Sequence, residues 1–131
     1  MFATVTTTTT TYTVELKTDR MARSWRREGK TYMDKAEGVA KVGMHQTTIV
    51  YAQAAIRDLR VWKQYKTSLE QPTLKTDEYI RRATELVANA QLAMYREAVE
   101  KEREAAIQKA VQEDALIQSI KQEFEKLEAS L

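Results

Sequence analysis

The sequence predicts an all-α protein: an extended N-terminal arm, one or two shorter helices, then one very long, amphipathic, coiled-coil-like C-terminal helix. Three observations predict it. Charged residues make up 31% of the 131 residues, whereas Gly contributes 3 and Pro 1, and these are the residues that sheets and long loops consume. Neither Gly nor Pro occurs after Pro72. Finally, the chain closes on "IQSIKQEFEKLEASL", where Ile117, Ile120, Phe124, Leu127 and Leu131 recur at steps of three and four, the spacing of a coiled-coil seam.

A chain of this length has the size of one ordinary domain, organised in three segments: an arm over 1–18, a helical segment with a Gly joint over 19–71, and the long helix over 72–131. The arm, "FATVTTTTTTYTVEL", is rich in β-branched Thr and Val, which favour extended backbone. Phe2, Thr4, Thr6 and Thr8 would fall on one side and Ala3, Val5 and Thr7 on the other. The chain offers no evident second strand, so the arm is expected to be extended, alone or laid on a neighbouring subunit.

From Asp19 to about Glu37 a helix is expected, with Met21, Trp25 and Met33 along one side and Gly29 weakening its middle. Gly38 and Gly43 bracket "VAKV" and read as a joint. Met44 to about Leu69 reads as a second helix, with Ala52, Ala55, Leu59, Trp62 and Leu69 at heptad spacing, widened by Ile49 and Ile56. A stripe that broad buries against more than one helix. Pro72 ends it, because proline disfavours helical backbone at the preceding Gln71.

Thr76 then reads as an N-cap, followed by Asp77 and Glu78 where acids suit the positive helix end. One uninterrupted helix is expected from 77 to about 128. Its seam has two registers that do not connect: Ile80, Ala83, Val87, Ala90 and Met94, then Ile117 to Leu131. The charged run "YREAVEKEREAA" separates them, which suggests a helix touching different partners at its two ends.

Composition also excludes chemistry. There is no Cys and a single His, His45, so thiolate metal sites, cysteine nucleophiles and His-centred catalysis lack their residues. Acid pairs such as Glu100 with Glu104, or Glu123 with Glu125, lie in a solvated Lys/Glu helix and read as a charged face. With three glycines no phosphate-binding loop can be assembled. The chain is therefore expected not to be an enzyme, and no cofactor is expected. The longest charge-free stretch, Val42–Ile56, is shorter than the ~20 apolar residues of a membrane span. No secretory signal is expected in "MFATVTTTTTTY" either.

Net charge is +2, but residues 1–75 hold a surplus of Lys and Arg while residues 76–131 hold a surplus of Asp and Glu. A basic head and an acidic tail can attract each other within one assembly or present different faces to different partners. "RMARSWRREGK" places Arg20, Arg23, Arg26, Arg27 and Lys30 around Trp25, a mixture used on phosphate backbones and anionic surfaces; Asp19 and Glu28 dilute it, and nucleic acid is not the expected partner. Trp62, in "VWKQY", reads as a core residue or an interface anchor. The residues expected to contact partners are thus Ile117, Ile120, Phe124, Leu127, Leu131, Trp62, Arg23, Arg26 and Arg27.

Arg103–Leu131, through "VQ" at Val111–Gln112, "IQSI" at Ile117–Ile120 and the "EFEKL" close, resembles the C-terminal helix of the b subunit in the peripheral stalk of mitochondrial F-type ATP synthases. That resemblance implies a stator subunit on the matrix side of the inner membrane, with the terminal seam docked on the oligomycin-sensitivity-conferring subunit. It covers about thirty residues, and the membrane-spanning segments of a b subunit are missing, so it implies a reduced subunit anchored through its partners. The expected function is a structural helical subunit of a hetero-oligomeric assembly. The alternative is a cytoplasmic, self-associating helical module whose basic segment engages nucleic acid or an anionic surface, including peripheral contact with a membrane.

Overall fold

The N-terminal Thr-rich segment is a β-hairpin, not an extended arm. Strands β1 (Phe2–Thr6) and β2 (Thr11–Glu15) pair antiparallel, with Ala3 opposite Val14 and Val5 opposite Tyr12. The second strand begins at Thr11, the last residue of the threonine run. No Gly, Pro or Asn marks the turn, and hydroxyls organise it instead. Thr7 Oγ1 donates to the Thr10 carbonyl at 3.0 Å and accepts from the Thr10 N–H at 3.1 Å, the local side-chain bonding by which threonine stabilises turns. The computed structural model describes residues 1–7 and 10–131, so the expected placement of Thr8 lies outside the described residues.

Three helices follow: α1 (Asp19–Lys41), α2 (His45–Ser68) and α3 (Leu74–Ser130). The all-α class with a long final helix holds, with the hairpin as a small addition. The chain comprises two compact units, Met1–Met94 and Tyr95–Leu131.

Within the first unit, alternation along β1 turns Ala3 and Val5 inward onto Leu16, Ala22, Val61 and Trp62, with Trp25 and Tyr65 packed at the margin. The hairpin thus completes a core of its own chain. Gln64 fixes it from α2: its side-chain amide accepts from the Thr4 N–H at 2.9 Å and donates to the Thr4 carbonyl at 2.8 Å. A second cluster joins Met33, Ala36, Ala52, Ala55 and Ala83, flanked by Tyr32, Tyr51, Tyr79 and Leu86. Alanines at these positions let three helices approach closely, and the surrounding tyrosines fill the margins.

Helix α1 is capped by Thr18, whose hydroxyl accepts from the Met21 N–H at 3.2 Å. Its buried line is Ala22, Gly29, Met33 and Ala36, whereas Met21, expected on the buried side, is 40% exposed. Gly29 sits where α2 comes closest. A Cβ there would lie 2.8 Å from Leu59 Cγ, so the glycine permits this packing.

The expected joint between Gly38 and Gly43 narrows to one residue. Gly38 is helical and exposed, while Gly43 takes φ 76° just beyond the end of α1. The N–H groups of Gly43 and Met44 return to the carbonyls of Ala40 and Val39, a Schellman closure. The same motif ends α2: Glu70 and Gln71 bond back to Thr67 and Lys66, with Glu70 at φ 55°. Here a glutamate occupies backbone that glycine favours. Leu69, counted in the expected stripe, lies at this end and is 46% exposed.

Helix α3 begins before the expected Thr76 cap. The Thr73 carbonyl accepts from the Asp77 N–H at 2.8 Å, and its hydroxyl donates to the Asp77 carboxylate at 3.0 Å. Thr76 is therefore the third residue of the helix, and it is buried. In the second unit every residue is exposed.

Candidate functional site

Two surfaces deserve description as chemistry: a cationic cleft in the first unit and the apolar line in the second. The cleft has a volume of about 530 Å³ and is lined by residues of α1, α2 and the first turns of α3. Leu59 forms its floor. Arg26 and Lys30 stand one helical turn apart on α1 and face it together; Lys75 and Thr76 meet them from the start of α3. Arg26 lies over the Trp62 ring at 5.7 Å from its centroid, and Lys30 lies over Tyr79 at 5.4 Å, so aromatic faces hold both cations in place.

The remaining charges of the cleft are committed. Arg82 pairs with Glu37 and lies 5.4 Å over Tyr79. Glu78 receives two bonds from Arg81, at 2.6 and 3.1 Å. That guanidinium holds the Glu78 carboxyl below its usual range, and Arg81 is itself raised by the pair. Beside the cleft, Lys63 lies 2.7 Å from Asp77 and lowers that carboxyl too.

One further ionisable group is buried. Asp58 has no exposed surface; Oδ1 accepts from Arg57 Nε at 2.8 Å, while Oδ2 has no hydrogen-bond partner among the described residues. Burial raises its pKa, and the Arg57 bond offsets only part of that shift. Among the described residues, no group of three or more His, Cys, Asp or Glu is arranged to hold a metal ion. None of the helices formed by those residues is long and apolar enough to cross a membrane.

The residues expected to meet partners fall in different places. Trp62 is 7% exposed and belongs to the first core. Arg23 is exposed and tied to Asp19 at 2.5 Å, Arg27 is exposed, and Arg26 is half-buried in the cleft wall. Asp19 also accepts from the Tyr65 hydroxyl at 2.9 Å, which lowers its pKa and raises that of Tyr65. The basic segment is therefore partly knitted into α1 and α2.

In the second unit Ile117, Ile120, Phe124 and Leu127 are 46–63% exposed, and Leu131 is fully exposed. Five large apolar side chains in solvent along one seam form a patch that soluble surfaces ordinarily avoid. Sequence reasoning found this seam and the basic residues of α1, Lys30 among them, but missed Lys75 and Tyr79 as neighbours of Lys30. The signal for them was weak, since Lys30 and Lys75 lie on helices separated by the whole of α2. The chain matches no protein-family model, no curated protein and no solved structure.

Proposed function

We propose that this protein is a non-catalytic, structural helical subunit of a larger assembly, held to a different protein through the Ile117–Leu131 seam. The observation that carries this reading is the exposure of five large apolar side chains at seam spacing in a unit where every residue is exposed, whereas the first unit has two buried apolar clusters of its own. Each such side chain, once fully buried, contributes roughly 1.5–3 kcal/mol, so four or five supply enough for a stable contact after the costs of association. A divergent peripheral-stalk subunit of an ATP synthase is the specific form, resting on the resemblance of Arg103–Leu131. The acids around the seam, Asp114, Glu123, Glu125 and Glu128, suit a partner groove with a basic rim.

The test compares the full chain with Phe124→Asp in the cells that make it. The wild-type chain should co-purify with a defined set of proteins, and a photo-crosslinker at Leu127 should join it to one of them. Phe124→Asp should lose that set while far-ultraviolet circular dichroism stays unchanged. Retention of the same complex by Phe124→Asp overturns the seam as the anchor. A set without ATP synthase subunits removes the stalk assignment alone.

A further inference from the structure

We infer that the cleft between α1 and the start of α3 binds a compact phosphorylated anion of pyrophosphate type. Arg26, Lys30 and Lys75 converge on one concavity, and among the described residues none of the three has a carboxylate partner. Three uncompensated cations around one cleft repel one another, and that arrangement gains most from a multiply charged anion. Thr76, 8% exposed, lines the same cleft and adds a hydroxyl that reaches it beside the three cations.

The backbone adds to this. Thr76 stands in the first turn of α3, where the first intrahelical bond is donated only by Asp77. The amides before it are free to meet an anion at the positive end of a long helix. Glu78, the one carboxylate of the lining, does not neutralise the site because Arg81 already holds it.

The shape selects among anions. A volume of about 530 Å³ lies within the range of small-molecule sites. Lys30 and Arg82 both lie over Tyr79, and Trp62 is buried. Tyr79 is the one aromatic ring among the lining residues, so the cleft offers no series of rings on which successive bases could stack, as single-strand binding requires. Leu74, 80% exposed, is the main apolar surface of the lining. Recognition therefore centres on the anionic group.

The experiment titrates the full chain with inorganic pyrophosphate, followed by amide chemical shifts, with orthophosphate, oligoglutamate peptide and single-stranded oligonucleotide as comparisons. Pyrophosphate should bind saturably and shift the amides of Lys30, Lys75, Thr76 and Tyr79. Lys75→Gln, an exposed change that leaves the core alone, should weaken binding about tenfold, and Lys30→Gln should do likewise. Orthophosphate should bind more weakly, as fits its lower charge. Tighter binding of the peptide or the oligonucleotide overturns the proposal in favour of a macromolecular partner. Absence of saturation overturns it outright, as do shifts spread over Arg20, Arg23 and Arg27, or Lys75→Gln and Lys30→Gln variants that bind as the wild type does.

Discussion

The Met1–Met94 unit buries Met33, Leu59, Val61 and Trp62 among its own elements, whereas the Tyr95–Leu131 unit leaves Ile117, Phe124 and Leu127 in solvent. Both units are mainly helical. The difference is what stabilises them: tertiary packing in the first, and local propensity in the second, whose helical length exceeds the ~12–15 residues at which isolated helices become marginal. A helix supported from within keeps its apolar seam free for another chain, whereas a helix supported by its core has already used it.

The comparison predicts unequal costs for similar changes. Leu59→Ala and Met33→Ala should each destabilise the protein by about 2–5 kcal/mol, since both side chains are essentially fully buried. Leu127→Ala, the matched change in the second unit, should fall within about 0.5 kcal/mol of wild type. Chemical denaturation of the three variants measures both, and equal losses would erase the distinction between the units.

Gly29→Ala should come next. The new Cβ would meet Leu59 Cγ at 2.8 Å and Leu59 N at 3.3 Å, and overpacking costs typically ~1–3 kcal/mol. Helix propensity returns up to ~1 kcal/mol, so the net loss should be about 1 kcal/mol in denaturant melts. A stabilised Gly29→Ala would mean that α1 and α2 yield more easily than their contact implies.

Asp58 gives a pH-dependent test of the same core. Burial raises its folded pKa above the unfolded one, so the native state binds the proton more tightly. Its contribution is intact below the unfolded pKa and declines as pH rises through the folded value. Asp58→Asn should therefore raise stability at neutral pH by about 1 kcal/mol, with the gain shrinking as the solution is acidified. Asp19, Asp77 and Glu78 run the other way: their lowered pKa values favour folding above the unfolded pKa, and that support fades as pH falls through the folded values. Melting curves of wild type and Asp58→Asn across acidic to neutral pH separate the two trends.

A small gain is expected at Glu70. Glycine accepts positive φ without steric cost, so Glu70→Gly should stabilise the α2 terminus by roughly 0.5–1 kcal/mol. A loss on this substitution would show that the glutamate side chain supports the turn.

Much of this architecture was legible because punctuation residues are few. Pro72 and Gly43 mark the real breaks, and the stretch after Pro72 is helical to Ser130. Gly38 misled because glycine is also tolerated on an exposed helix face, where it only lowers propensity. The hairpin was illegible for a physical reason: a run of threonines serves equally as strand and, through its hydroxyls, as turn. Gly29 read as a weakness when it was a point of close approach, which depends on Leu59 from another helix. The cleft escaped for the same reason, as Lys30 and Lys75 become neighbours only through the fold. The terminal seam was visible from its spacing alone.

The paired bonds between Gln64 and Thr4 have a consequence for how this protein behaves in a crowd. An open strand edge rich in threonine is a template on which further chains can add, layer upon layer. Thr4 stands at the middle of that edge, and the Gln64 amide presents it with the donor and acceptor that an incoming strand would offer. One side chain thus impersonates a neighbouring strand at the middle of β1 and occupies the place where an incoming strand would pair with that edge.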